Sequence, residues 1–317
     1  MSRVAAIDCG TNSIRLLVAD VTAREDGSAS LRDVHRETRI VRLGQDVDAT
    51  GRLAPEALAR TRAALVDYAA VARRADVDRV RMVATSATRD AANREDFFSM
   101  VHDTLGTDAE VISGDEEARL SFTGAVGDLD PADGPFVVVD VGGGSTEVVL
   151  GEWDGIRADV QAARSVDVGC VRITERHLRA DPPSEEDVGS AEAFARQTLA
   201  GAFAEVAVQK ARTWVGVAGT VTTLSAIAQE LPEYDAERTH LARLSLDQLR
   251  ATTAALLAST HDERAGNPAI HPGRVDVIAG GAVIVRVFAE ELHARAGIDD
   301  LVVSEHDILD GIALGLA

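Results

Sequence analysis

Aromatic residues make up only 3% of this 317-residue chain, so its cores must be built from Val, Leu, Ile and Ala. Cysteine is almost as scarce. Cys9 and Cys170 lie far apart and lack the spacing of metal ligands, which excludes a disulfide framework and a cysteine-based zinc site. Their scarcity sets the expectation of a reducing, cytoplasmic setting. No apolar run approaches the roughly 18 residues needed to span a bilayer. Met1-Ser2-Arg3-Val4 enters a strand pattern directly, with no signal-peptide stretch. Lysine is nearly missing as well: Lys210 is the one instance, and the remaining positive charge is arginine. Against 32 basic residues stand 52 acidic ones, a net charge of −20 that argues against broad binding to nucleic acid or membrane surfaces. A polyanion would have to be met locally, by arginines gathered in a cleft and by metal ions. Arginine suits bidentate phosphate contacts.

The length suggests about two domains. Residues 4–20 read as strand, polar turn, strand. Pro55 suits a first helical position, and Leu58, Leu65 and Tyr68 fall on one face of the helix behind it. A buried strand over 80–85, a helix over 90–105, a strand ending near Ile112 and a helix after Ser113 follow. The apolar run 136–141 is closed by Gly142-Gly143-Gly144, and 145–150 leaves as a strand. A long helix is expected over 184–212, a strand over 214–217, and a helix opened by Gly219-Thr220. Ser245 with Gln248 forms a capping box before another helix. Residues 276–291 read as helix, 301–304 as a last strand, and a short helix closes the chain. The intermingling of strands and helices makes the class α/β.

Pro131–Pro135 is the best linker candidate, and the two halves it separates begin alike. Ile7-Asp8-Cys9-Gly10-Thr11-Asn12-Ser13 matches Val139-Asp140-Val141-Gly142-Gly143-Gly144-Ser145, with Asp, Gly and Ser at the same offsets. This reads as an internal duplication. Glycine at such bends lets backbone N–H groups face an anion. Thr11, Asn12, Ser13 and Ser145 add side-chain donors, and Gly219-Thr220 supplies a third turn. Asp8 and Asp140 sit just before the first two turns. They repel phosphate directly, but make sense as ligands of a hard cation, Mg²⁺ or Mn²⁺, placed between them and the phosphate. K⁺ is a further candidate ion.

Ser113-Gly114-Asp115-Glu116 has the capping-box pattern, which engages Glu116 at the cap. Glu117 lies about 100° further round the helix and is free for chemistry. Glu147 shares the strand face of Ser145 and could orient a water or ligate the metal. Arg89 follows a strand, and Arg15, Arg42, Arg172 and Arg274 are candidates for a basic lining. His240 and His271 read as surface or loop histidines, joined by no metal-ligand spacing. Neither cysteine has the surroundings of a nucleophile.

The segments Asp-Cys-Gly-Thr-Asn-Ser, Ser-Gly-Asp-Glu-Glu-Ala-Arg-Leu and Val-Asp-Val-Gly-Gly-Gly-Ser-Thr-Glu resemble the signatures of the exopolyphosphatase / guanosine pentaphosphate phosphohydrolase (Ppx/GppA) family. Further likenesses lie at 41–44, 84–89, 169–172, 217–223 and 273–278, in family order along almost the whole chain. The resemblance implies two actin-like (ribonuclease H-like) domains flanking a central cleft. The first would cover 1–126, with 306–317 packing back on it, and the second 127–305. It also implies that Glu117 is the catalytic glutamate, that Arg89 contacts the phosphate chain, and that the protein is a homodimer of the short, two-domain type. The expected activity is metal-dependent hydrolysis of the terminal phosphate of polyphosphate, with guanosine pentaphosphate as the alternative substrate. A small-molecule kinase on the same fold and a non-enzymatic alarmone sensor are the rival classes.

Overall fold

The computed structural model describes residues 2–316. Strands β1 (Ser2–Cys9), β2 (Ser13–Ala23), β3 (Ala29–Ile40), β4 (Arg79–Ala84) and β5 (Ala109–Val111) form one sheet in the order β3-β2-β1-β4-β5. The first three strands are antiparallel; β4 and β5 join in parallel. A second sheet holds β6 (Phe136–Val141), β7 (Thr146–Trp153), β8 (Ala158–Val166), β9 (Thr213–Val217), β10 (Arg243–Ser245) and β11 (Asp300–Val303). Its order, β10-β11-β9-β6-β7-β8, repeats the first sheet with β10 added at the edge. The duplication read in the two Asp-Gly turns thus extends to whole sheets.

Each sheet packs one face on helices of its own half. Leu65, Tyr68, Phe97 and Val101 cover the first sheet; Leu199, Val283, Phe288 and Leu292 cover the second. The other faces are closed by two helices that cross between halves. Helix Gly114–Ala125 lays Ala118, Phe122 and Ala125 on Val138, Val149 and Val215 of the second sheet. Helix Ile308–Leu314, late in the chain, lays Ile308, Leu309 and Ile312 on Val4, Leu17 and Val21 of the first. The two helices meet backbone to backbone. A Cβ on Gly124 would fall 1.8 Å from the Asp307 carbonyl oxygen, and one on Gly311 would fall 2.1 Å from that of Leu120.

Several boundaries depart from the sequence expectation. The helix expected to reach Arg212 ends at Glu205, because Val206 and Val208 turn fully into the second core. The helix expected over 90–105 starts later, spanning Arg94–Leu105, and a short unexpected helix, Ser86–Asp90, precedes it. Asn93 separates the two by accepting from the Leu53 N–H at 2.8 Å and donating to its carbonyl at 3.1 Å. Helix Ile278–Ala296 starts and ends later than 276–291. Strands β3, β8 and β10 were not anticipated. The first two are sheet edges without the buried apolar run that marks the inner strands, β3 having no fully buried residue and β8 only Val166, and β10 has three residues. Among the described residues no helix is long and apolar enough to cross a membrane.

Candidate active site

Asp8 and Asp140 lie on the central strands β1 and β6 of the two sheets, and both are buried. Each is followed by a tight turn closed in the same way. The Gly10 N–H donates to the Ser13 carbonyl at 3.0 Å, and the Gly142 N–H to the Ser145 carbonyl at 3.1 Å. The outer carbonyls are then taken by a segment lying beyond the third strand of each half. Val41 and Arg42 donate to Asn12 at 3.0 and 2.9 Å, and Gly44 to Thr11 at 2.8 Å. Cys170 donates to Gly142 and Val171 to Gly143, both at 2.9 Å. A trans peptide sets its N–H opposite its C=O. The amides of Asn12, Ser13, Gly143 and Gly144 therefore face away from these supports, ready for an anion.

The two turns close on each other. A Cβ on Gly143 would come within 2.8 Å of Thr11 Cβ, so only glycine permits that approach. The third turn is the start of helix Ala218–Ala228, where Ala218 sits at φ 67°, a left-handed conformation uncommon outside glycine. The cleft wall holds Asp8, Gly10, Thr11, Asn12, Ser13, Glu117, Asp140, Gly142, Gly143, Gly144, Ser145, Gly219 and Thr220. Of the sequence-predicted site residues, Arg89 and Glu147 stand behind that wall. The rims are bridged by Arg172 to Asp48 and Asp90, by Arg176 to Asp48, and by Arg42 to Asp276. Arg42 and Arg172 thus hold the halves together rather than lining the phosphate path.

Glu117 is buried in the first turn of helix Gly114–Ala125. The cap is made by Ser113 Oγ, which accepts from the Glu116 N–H at 3.1 Å. The Glu116 carboxylate, however, pairs with Arg81 at 2.8 Å and does not reach back to the Ser113 amide. Glu116 is engaged by Arg81 and not by the cap expected from the sequence. Arg89 donates to Glu117 at 2.7 Å and to the Ile112 carbonyl at 3.0 Å. It orients the glutamate, which the sequence reading did not anticipate. Burial pushes the Glu117 carboxyl up to about 7, against the pull of Arg89 and with the help of Asp140 and Asp8. Burial, then Asp307, takes Asp140 up to about 6.

Glu147 is 1% exposed and accepts from Ser165 Oγ at 2.7 Å. Burial, with Glu117 and Asp140 nearby, holds its carboxyl well above the ordinary range. Asp140 accepts from Ser121 Oγ at 2.7 Å. Asp8 accepts from Arg15 at 2.7 Å through one oxygen, while its Oδ1 is buried without any partner. Arg15 also pairs with Asp307, a buried residue absent from the sequence reading. The signal for Asp307 was local, a capping box with Asp310, but its role depends on a contact across 292 residues. Arg274 donates to the Gly219 carbonyl at 2.7 Å and has no carboxylate partner among the described residues. Burial lowers its proton affinity, which suits a guanidinium waiting for an anion. Burial pushes the Cys170 thiol up to about 11, so this cleft cysteine is no nucleophile.

Five buried carboxylates, Asp8, Glu117, Asp140, Glu147 and Asp307, with Arg15 and Arg89 as close counter-charges, and one orphaned oxygen on Asp8, fit a hard divalent cation. Among the described residues the cleft acids do not bring three ligand atoms within 4.8 Å of one another, so such an ion would be held partly through water.

The model of the Ppx/GppA phosphatase family matches residues 18–315. Exopolyphosphatase 2 of Mycobacterium tuberculosis is 58% identical over 100% of this chain and 99% of its own length. The crystal structure of an exopolyphosphatase-like protein superposes with a TM-score of 0.93 at 45% identity, covering 99% of this chain and 98% of that one. A Ppx/GppA family member from Aquifex aeolicus gives 0.78 at 31% identity, over 99% and 97% of the two chains.

Proposed function

The chain belongs to the Ppx/GppA phosphatase family, and from that premise we propose that it removes the terminal phosphate of inorganic polyphosphate by direct transfer to water. It is a hydrolase with the two actin-like units of that family. Phosphoryl transfer requires positioning and charge neutralisation more than covalent help. The amides and hydroxyls of the 10–13, 142–145 and 219–220 turns bind the non-bridging oxygens. Glu117 accepts a proton from the attacking water and is aimed by Arg89. Arg274 meets the negative charge further along the chain. Asp8, Asp140 and Glu147 would hold Mg²⁺ or Mn²⁺, which supplies charge neutralisation at the terminal phosphates. The observation that carries this reading is Glu117: a buried carboxylate with a raised pKa, on the wall that also holds both anion-binding turns.

The test is phosphate release from polyphosphates of defined length and from guanosine pentaphosphate, with and without Mg²⁺. Release from neither would end the proposal. Guanosine pentaphosphate is the second reading. It is favoured by a cavity of about 400 Å³ next to the cleft, lined by Tyr234, Ile270, Pro272 and Leu309 and sharing Arg15 and Arg274 with it. A nucleoside could enter there while its phosphates reach the turns. Turnover of ATP with a sugar acceptor would indicate the kinase class instead. Tight nucleotide binding without turnover would indicate a sensor. The proposal extends to a first unit of residues 1–126 with 306–317, a second of 127–305, a homodimer and a cytoplasmic setting. The packing of helix Ile308–Leu314 on the first sheet supports assigning 306–317 to the first unit, whereas helix Gly114–Ala125 packs on the second sheet and favours a boundary earlier than 126.

A further inference from the structure

Asp128, His240 and His306 come from three separate segments. Asp128 follows helix Gly114–Ala125, His240 ends the short helix Ala236–Thr239, and His306 lies between β11 and helix Ile308–Leu314. Their side chains nevertheless converge. The His306 Nδ1 is 2.7 Å and the His240 Nε2 3.3 Å from the same Asp128 oxygen, and the two rings lie 4.7 Å apart. Among the described residues this is the one trio whose ligand atoms all fall within 4.8 Å of one another. Asp128 is exposed and both histidines are half-buried, so the site opens to solvent. Ser304 fixes the His306 loop by accepting from the His306 N–H at 3.1 Å and donating to its carbonyl at 2.9 Å. Two imidazoles and one carboxylate, with room for water, form a donor set for Zn²⁺ or Co²⁺ and a poor one for Mg²⁺, which prefers oxygen.

The geometry points to a second metal site, a two-histidine, one-carboxylate centre for a transition-metal dication at Asp128, His240 and His306, separate from the oxygen-only acids of the cleft. The Glu305 N–H donates to His240 Nδ1 at 3.2 Å, which directs the Nε2 proton at Asp128. Loading at Nε2 would move that proton to Nδ1, which then no longer accepts from the Glu305 N–H, so the ring or the peptide must turn slightly. The ion would tie the end of one crossing helix to the start of the other. Next to His306, Asp307 holds Arg15 and through it Asp8, so the centre sits one residue from the chain of contacts reaching the cleft.

The test uses the full chain with saturating Mg²⁺ to fill the cleft, then Co²⁺ followed by its visible absorption and Zn²⁺ followed by equilibrium dialysis. One Co²⁺ per chain is expected to bind despite the Mg²⁺. Its affinity should fall roughly 10- to 100-fold or more in Asp128→Asn and, independently, in His240→Gln. Thermal melting of both variants with Mg²⁺ alone checks that they fold. Absence of Mg²⁺-resistant Co²⁺ binding overturns the proposal, as does binding unchanged in both variants. Binding abolished by Asp8→Asn but not by Asp128→Asn would place the ion in the cleft and overturn it equally. None of these outcomes depends on which phosphate substrate is hydrolysed.

Discussion

Glu147 stands directly opposite Asp140 across the hairpin of β6 and β7. In the first half the equivalent position, opposite Asp8 across β1 and β2, is Arg15. One duplicated hairpin therefore carries an acid–base pair and the other an acid–acid pair. Like charges directly opposite on a sheet are destabilising, and this pair is buried. Glu147→Gln removes the conflict. The variant is expected to melt higher than the parent in a chelator, and to need roughly tenfold more Mg²⁺ for half-maximal hydrolysis, on the order of what loss of a supporting metal contact costs. Melting curves in chelator and a Mg²⁺ titration of phosphate release check both.

Glu117→Gln is expected to lower the hydrolysis rate by on the order of 10²–10⁴ while leaving polyphosphate affinity nearly unchanged, since only the proton acceptor is lost. Single-turnover kinetics beside a binding titration separate the two quantities. A rate close to that of the parent would remove Glu117 from the mechanism.

Arg89 opposes the rise in the Glu117 pKa. Arg89→Met should therefore move the rising limb of the pH–rate profile to higher pH, by roughly one unit or more. A residue that only gripped the phosphate chain would change KM and leave that limb in place. The pH profile of kcat distinguishes the two.

Burial raises Glu117 to about 7 and Asp140 to about 6. In the metal-free protein these groups keep protons that the unfolded chain gives up near about pH 4. Their stabilising contribution is present below that pH and is lost as pH rises through about 6 and 7. A divalent ion held by Asp140 replaces its proton, and its charge lowers the proton affinity of Glu117 nearby, so the gain in Tm from Mg²⁺ should be larger at pH 8 than at pH 5.5. Equal gains at the two values would show that Asp140 is not its ligand.

A Cβ on Gly219 would lie 1.9 Å from the Arg274 guanidinium. Gly219→Ala should push Arg274 aside and raise KM for polyphosphate much as Arg274→Ala does. The double variant should be little worse than either, because both remove one interaction. Additive losses would show that Gly219 acts independently.

The turns were legible because their signals are local: an Asp at a strand end, glycines at a bend, hydroxyls beside them. Glu117 lies about 100° round the helix from Glu116, a spacing legible in the sequence, whereas the Arg81 that holds Glu116 is remote from it and was not. Arg15, Ser121, Ser165 and Asp307 were not assigned their places in the site. Their roles arise from strand register or from contacts between distant segments, and none has a pattern of its own. The function of Val41–Gly44 and Gly169–Arg172 became clear only when their amides were seen on the outer carbonyls of the turns. His240 read as an ordinary loop histidine because Asp128 and His306, its neighbours in space, are remote in sequence.

The crossing of helix Ile308–Leu314 onto the first sheet bears on how the chain is made. During synthesis Val4, Leu17 and Val21 leave the ribosome nearly three hundred residues before the helix that covers them. One face of the earliest sheet must wait, uncovered, until translation has passed residue 314. The nascent protein is thus most exposed to aggregation and chaperone capture while its first half is already paired into strands.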